Sequence, residues 1–362
     1  MKNKVLVIGG ATLDMIIAYE DMETMIHQCK DSAQSYLLLE EGKKIEVLAQ
    51  QTASGGGATN AAVAFKRQGY EVDLFCKLGR DVAGEMVLRE LEQHGISTVD
   101  IRFDDEIGTA TSFVVPSLKG DRTVFAYRGA NANVLSEELP WDKMHTVGLL
   151  YVTSLSRASA AHLPHIVTHA KKLGMHVVVN PGVSQLKRGG GYLRDSLEAI
   201  DTLILNEEEA KILMVSMLQD EGLTSVTEGE EGGKLAQTTG SFDLGYFNLR
   251  EFFQKILSLG PSVVVVTNGS EGVYVATPEQ LYFHAASQVN VVNTLGAGDA
   301  FGSGFTGTWH RTGDVEEAIR SGIVNSASVI GYPDAKTGLL PEATLQERRA
   351  ALPPQALTRN AW

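Results

Sequence analysis

The chain has 362 residues, 43% hydrophobic and 21% charged, an ordinary balance for a globular protein large enough for one extended α/β domain. Its 44 acidic against 31 basic side chains leave a net charge of −13, which argues against broad electrostatic binding to nucleic acid or to an anionic membrane surface. The two cysteines, Cys29 and Cys76, fit no metal-ligand spacing and no disulfide framework. The first apolar run is too short for a signal peptide, and no stretch approaches the ~18 apolar residues of a membrane span. A reducing, cytoplasmic setting is expected.

In chain order, KVLVIGG (4–10) is a short apolar run ending in glycines and predicts a buried strand of a parallel sheet. Asp14 lies just past it, where a carboxylate can accept hydrogen bonds from two sugar hydroxyls. GGATLD lacks the G-x-G-x-x-G spacing of a dinucleotide site, and no P-loop pattern occurs. SYLLLEEGKKIEVLAQQ (35–51) predicts two strands around EEGKK.

SGGGATNAAVAFKRQG (54–69) sets three glycines before an apolar helical pattern. Two readings fit. Gly55, Gly56 and Gly57 can let the backbone approach a small polar ligand, with Asn60 offering a donor and an acceptor to a hydroxyl. Alternatively, this is a loop-to-helix joint capped by Thr59 or Asn60. VDLFCKLG (72–79) is a further strand, and AGEMVLRELEQHG (83–95) a helix with Met86, Leu88 and Leu91 on one side. TATSFVVPSLKGDRTVFAYRG (109–129) predicts a hairpin around LKGD. With 35–51 it breaks the strand–helix rhythm, which suggests a small β subdomain over a cleft.

Strands follow at VGLLYVTS (147–154), HVVVNPG (176–182), DTLILN (201–206) and SVVVVTNG (262–269). Helices ending at glycine are predicted over 160–174 and 248–260. This alternation indicates an α/β fold with a largely parallel sheet. NEEEAKIL (206–213) sits at a strand's C-terminal end, where open α/β sheets bind ligands. Asn206 reads as a helix N-cap with the glutamates complementing the dipole; in a second reading Asn206 and Glu209 face a Mg²⁺–phosphate cluster through water. The polar stretch 219–241 is expected to be a surface loop or insertion. In VTNGSEGVYV (266–275), Thr267 and Gly269 either flank a nucleotide or belong to a plain hairpin.

NTLGAGDAFGSGF (293–305) holds four glycines and one carboxylate, Asp299. A helix beginning near Gly298 would leave its first N–H groups without intrahelical partners, which makes a site for phosphate. Asp299 beside it suits a base that takes a proton from a hydroxyl attacking phosphorus. As an alternative, Asp299 is an ordinary first-turn partner of the helix dipole.

The order of these segments resembles the ribokinase-like carbohydrate kinases, the PfkB family, over nearly the whole chain. GGGATNAAVAFKRQG through Gly79 is similar to the family's N-terminal signature, and NTLGAGDAFGSGFT to its C-terminal one. NEEE matches its N-x-x-E motif, VVTNGSEG its nucleotide-side strand and turn, and YRGANANVL (127–135) its segment after the lid strands.

The resemblance implies a ribokinase-like fold, with a mainly parallel central sheet, helices on both faces and a small β lid. It implies one kinase domain over 1–350, with lid segments at about 15–51 and 109–129 and a C-terminal tail at 351–362. It also implies transfer of the γ-phosphoryl group of ATP, with Mg²⁺, to a hydroxyl of a small sugar, usually a primary alcohol. A nucleoside acceptor and a non-catalytic sugar- or nucleotide-binding regulator are the alternatives. For a nucleoside, Tyr36, Leu37 and Leu39 would supply the slot for a base.

On this resemblance Asp299 is the catalytic base and Gly296, Ala297 and Gly298 the anion hole. Asp14, Gly55, Gly56 and Asn60 hold the acceptor, and Asn206 and Glu209 organise Mg²⁺ and phosphates. Thr267, Gly269, Gly272 and Asn325 lie by the nucleotide, and lid strands pairing across a two-fold axis give a homodimer. Two departures stand out. NPG (180–182) replaces a more usual arginine-bearing segment. Asn293 stands where the family carries an aspartate that in several members helps bind a monovalent cation, which leaves that requirement open.

Overall fold

Val5 and Val7 point to one side of the first strand and Leu6 and Ile8 to the other, and all four are fully buried. A strand covered on both faces has to be apolar at every position, which is why these runs stand out in the sequence. The computed structural model describes residues 3–18, 24–29, 32–38, 41–116, 122–186, 191–220, 241–242 and 245–362.

The strands that matter here, in chain order, are β1 (Lys4–Ile8), β2 (Thr12–Ala18), β3 (Ala49–Gly55), β4 (Glu71–Phe75), β5 (Thr111–Pro116), β6 (Arg122–Tyr127) and β7 (Leu149–Val152). They continue with β8 (His176–Val179), β9 (Thr202–Asn206), β10 (Val263–Asn268), β11 (Gly272–Ala276), β12 (Leu281–Ala285) and β13 (Leu357–Asn360). The longer helices are α1 (Gly57–Arg67), α2 (Val82–Gln93), α3 (Leu163–Lys172), α4 (Glu207–Asp220), α5 (Leu249–Ser258), α6 (Ala297–Thr312), α7 (Val315–Val329) and α8 (Glu342–Ala350).

A nine-stranded sheet runs in the order β13-β12-β11-β10-β9-β8-β7-β1-β4. The strands from β4 to β10 pair in parallel, and β11, β12 and β13 add antiparallel. Leu6, Ile8, Leu150 and Val152 pack with Ile166 of α3, Leu213 of α4 and Phe252 of α5. Val5, Val7, Leu149 and Tyr151 pack on the other face with Phe65 of α1, Phe305 of α6 and Ile319 of α7. Burial of each such side chain contributes about 1.5–3 kcal/mol. The expected α/β fold with helices on both faces is therefore what forms. The last residues, expected as a tail, supply β13 at the sheet edge, and Trp362 Nε1 donates to Thr277 O at 3.0 Å.

A second, four-stranded sheet has the order β6-β5-β2-β3. The 109–129 hairpin forms as expected, with Phe113 opposite Phe125. Two strands flank EEGKK as expected, with shifted bounds and separate partners: Ser32–Leu37 pairs with Thr24–Cys29, whereas the next strand starts only at Ala49 and pairs with β2. Residues 41–48 between them are exposed and carry no strand.

In α2 the buried side chains are Val87 and Leu91, with Met86 42% exposed, so the apolar face lies one residue away from Met86. Asp81, whose side chain accepts from Gly84 N, starts this helix and fixes its phase. Of the expected 219–241 insertion, residues 221–240 lie outside the described residues.

Candidate active site

The carboxyl ends of β1, β9 and β10 and the start of α6 converge with the end of β3. Gly56 has φ +92, and a Cβ there would come 2.5 Å from Gly10 O, so the chain crosses from β3 into α1 flat against the glycine pair after β1. Asn131 locks the same turn: its Oδ1 accepts from Ala11 N at 3.2 Å and its Nδ2 donates to Ala11 O at 2.8 Å. This fixes the entry to β2 and hence Asp14. Asp14 is buried, and its Oδ1 accepts from Ser112 Oγ at 2.5 Å and from Thr12 Oγ1 at 3.0 Å. A Cβ on Gly55 would stand 1.8 Å from Asp14 Oδ2, so only glycine leaves that oxygen in place.

Neither Thr59 nor Asn60 caps α1. The N-cap is Gly56 without a side-chain bond, and Thr59 Oγ1 donates to Gly55 O at 2.7 Å. Asn60 instead reaches across the chain, its Nδ2 donating to Asp299 Oδ2 at 2.8 Å. Its Oδ1 is buried and has no hydrogen-bond partner among the described residues, as is true of Thr153 Oγ1. A Cβ on Gly57 would come 3.0 Å from Thr153 Cβ and 3.2 Å from Asp299 Oδ1, so a side chain there would crowd that oxygen.

Asp299 sits in the first turn of α6. Withdrawal from water pushes its carboxyl above the usual carboxylate range; Asn60 and the Lys336 ammonium pull it back, and Asp14 pushes it up. Gly296 caps the helix with φ +76, a conformation that favours glycine. Ala297 N donates to Thr294 O at 3.3 Å and Ala300 N to Gly296 O at 2.8 Å. The N–H groups of Gly298 and Asp299 therefore remain in the first turn without an intrahelical acceptor, at the positive end of the dipole. A Cβ on Gly298 would meet nothing within 4 Å, whereas Gly302 and Gly304 press on Tyr151 and on α7. Glycine thus serves two ends in this helix: open backbone at 296–298, close packing further along.

On the other wall, Asn206 Oδ1 accepts from Glu209 N at 2.8 Å while Glu209 Oε2 accepts from Asn206 N at 2.9 Å. This reciprocal cap leaves Glu209 Oε1 over. Burial, with Asp299 and Glu208 nearby, pushes the Glu209 carboxyl up to about 7. An oxygen-only set of this kind fits a Mg²⁺ ion held mainly by water and phosphate oxygens. Among the described residues no cluster of three or more His, Cys, Asp or Glu forms a dedicated cage.

Thr267, directly opposite Asn206, is the last residue but one of β10, and Gly269 and Gly272 carry the tight turn into β11. A Cβ on Gly269 would meet nothing within 4 Å, while one on Gly272 would strike His284 O at 2.1 Å. Asn325 lies apart from these: it is fully buried, its Nδ2 donating to Ala300 O at 2.7 Å and its Oδ1 accepting from Leu340 N at 3.0 Å. Its side chain braces α6 from behind. Asn293 Nδ2 donates to Pro333 O at 2.8 Å, a bond that an aspartate could not donate.

Gly57, Arg128, Ser154, Asn180, Glu209 and Asp299 line one cavity of about 280 Å³. A larger, open groove of about 620 Å³ beside Trp141 and His169 contains none of these residues. Three residues were missed in the sequence. Among the described residues, Arg128 is the only basic side chain lining the cavity. Lys336 is buried against Ser54, and Asn131 fixes the turn that leads to Asp14. YRGANANVL carried a signal for Arg128 and Asn131; nothing in the local sequence around Lys336 did.

The model of the pfkB family carbohydrate kinases matches residues 3–343. An ATP-dependent ribose-1-phosphate kinase of Halopiger xanaduensis is 29% identical over 302 residues, 83% of this chain and 88% of that protein. A ribokinase of Staphylococcus aureus is 24% identical over 330 residues, 91% of this chain and 93% of the other. The Arabidopsis thaliana ribokinase, solved with ribose and ATP, superposes with a TM-score of 0.72 at 19% identity, covering 96% of this chain and 99% of its own, which shows a shared fold. No helix among the described residues is long and apolar enough to cross a membrane. With a family model spanning almost its full length and a ribokinase-like fold, the chain belongs to the pfkB family of carbohydrate kinases.

Proposed function

We propose that the protein is an ATP-dependent sugar kinase that moves the γ-phosphoryl group onto a hydroxyl, a primary alcohol, of a small sugar. The observation that carries this reading is the placement of Asp299: one oxygen is held by Asn60, and the other lies beside Gly57, with which Asp299 lines the cavity. Asp14 and the Gly55–Gly56 backbone hold acceptor hydroxyls, and Asn60 Oδ1 accepts a hydrogen bond from one of them. Asp299 Oδ1 takes the proton of the attacking hydroxyl. The backbone of Gly296, Ala297 and Gly298, extended to the N–H of Asp299, carries the charge of the transferred group.

Asn206 and Glu209 would hold Mg²⁺ through water, and that ion supplies neutralisation of phosphate charge. Thr267, Gly269 and Gly272 border the nucleotide; Asn325 acts through α6 instead of by contact. The four-stranded sheet, which overlaps the expected lid segments 15–51 and 109–129, is the lid that keeps water from competing as acceptor. Arg122 of β6 donates to Thr294 Oγ1 just before α6, which ties that sheet to the catalytic turn. Exposed Phe113, Phe125 and Tyr127 on the same sheet favour a homodimer. A light-scattering mass of 39 kDa, that of one chain, would reject it.

Arg128 favours a second reading, in which the acceptor already carries an anionic group, as a sugar phosphate does. A nucleoside acceptor has less support. Leu37 packs against Ile17 and Val115 inside the small sheet, and the side chain of Tyr36 and all of Leu39 lie outside the described residues. ATP consumption with Mg²⁺ against free sugars, sugar phosphates and nucleosides separates these readings. Binding without turnover across the panel would favour the non-catalytic regulator.

A further inference from the structure

Lys336 is only 2% exposed, in the loop between α7 and α8, and the reaction outlined above gives it no task. A buried ammonium costs several kcal/mol unless its charge and donors are met. Here its Nζ donates to the main-chain oxygen of Ser54 and, at 2.9 Å, to Ser54 Oγ, with Glu90 Oε1 at 3.7 Å. Glu90 closes the triangle, its Oε2 accepting from Ser54 N at 2.7 Å.

This clamp grips the residue immediately before the Gly55–Gly57 turn. Ser54 stands opposite Leu13, one position from Asp14. The same loop also bears on the other half of the site. A Cβ on Gly296 would come 2.4 Å from Ala335 Cβ, and Asn293 holds Pro333 O. Residues 333–336 therefore touch the catalytic turn on one side and the acceptor loop on the other.

We propose that Lys336 is a positioning residue that locks the acceptor loop, Ser54–Gly57, to the catalytic turn, Asn293–Gly298, and so sets Asp14 and Asp299 in a common register. The proposal rests on the phosphotransfer reading. Its positive charge has a second effect, because it faces Glu90 of α2 and His94 just after that helix, Asp14 of β2, Asp334 of its own loop and Asp299 of α6. Asp299 in turn faces Asn60, Asp14, Glu209 and Tyr151, with Arg128 on the cavity side, and Lys336 offsets the charge of Asp14 and Asp299 from behind.

The test compares wild type with Lys336→Met, Lys336→Arg, Ser54→Ala and Glu90→Gln, under steady-state kinetics and hydrogen–deuterium exchange. Lys336→Met is expected to raise the acceptor KM about tenfold or more, to leave the ATP KM within about twofold, and to move the acidic limb of kcat upward by roughly half a pH unit or more. Lys336→Arg is expected to restore the acidic limb, and Ser54→Ala to raise the acceptor KM in the same direction by less. Faster exchange at both 54–60 and 293–299 is expected in Lys336→Met. If Lys336→Met does not fold, Ser54→Ala and Glu90→Gln decide by the same readouts. Equal changes in both KM values, or faster exchange confined to 331–341, would overturn the proposal. A wild-type protein without turnover would defeat the kinase reading instead, and the exchange experiment would still decide the clamp.

Discussion

Asn60 Nδ2 donates to Asp299 Oδ2 at 2.8 Å, joining two residues 239 positions apart in the chain. The bond favours the ionised carboxylate against the burial that opposes it, and it orients the other oxygen toward the cavity. Asn60→Asp places two carboxyls in contact and raises the pKa of the pair. The expected result is a kcat/KM lower by about 10²-fold near neutral pH, with an acidic limb displaced to higher pH. A pH–rate profile checks both.

Gly55 is fitted to Asp14. Because a Cβ would stand 1.8 Å from Asp14 Oδ2, Gly55→Ala must push the carboxylate off its bonds to Ser112 and Thr12. The acceptor KM is expected to rise about tenfold or more with the ATP KM unchanged, since uniform binding on one side only is lost. Initial-rate kinetics with each substrate varied in turn measures this.

Gly298 and Gly302 separate function from packing within one helix. Gly302→Ala brings a Cβ to 2.4 Å from the Tyr151 hydroxyl and is expected to cost about 1–3 kcal/mol of stability, read by denaturant unfolding. Gly298→Ala meets open space, so stability is expected to hold within about 0.5 kcal/mol. Its turnover should fall, because the methyl occupies space proposed for phosphate.

Glu209 gives a pH dependence of known sign. Its folded pKa is raised to about 7, so without metal the carboxylate forms only as pH rises through 7. Mg²⁺ affinity is expected to fall about tenfold per unit below that point, with the midpoint moving to lower pH as Mg²⁺ rises, since metal and proton compete. Glu209→Gln should abolish the effect in a Mg²⁺ titration. By linkage, the unfolded chain ionises this carboxyl above pH 4.5 while the folded one keeps its proton up to about 7, so the unbound protein loses stability across that window, and Glu209→Gln should remove that loss.

Asn293 closes its loop through an amide donor to Pro333 O. Replacement of potassium by tetramethylammonium is therefore expected to change the rate by less than about twofold, and Asn293→Asp to destabilise the loop by about 1–2 kcal/mol. Parallel rate assays and thermal unfolding check the two statements.

The central strands were legible because parallel strands buried on both faces leave continuous apolar runs, as in KVLVIGG and SVVVVTNG. The glycine turns were legible because close backbone contacts at Gly56 and Gly296 admit no side chain. What escaped depends on tertiary neighbours. No local pattern tells that Asn60 reaches Asp299, that Asn325 is taken up behind α6, or that Lys336 turns inward to Ser54. Met86 and Val87 are both apolar neighbours, and only the start of α2 at Asp81 decides which of them is buried.

The most direct measurement is ATP-dependent phosphorylation of the acceptor panel, with Mg²⁺, by wild type and by Asp299→Asn. Wild type is expected to turn over a sugar or sugar phosphate. Asp299→Asn is expected to lose about 10²–10⁴ in kcat while keeping the same fold and unfolding temperature. Near-wild-type turnover by Asp299→Asn would contradict the assignment of Asp299 as the base.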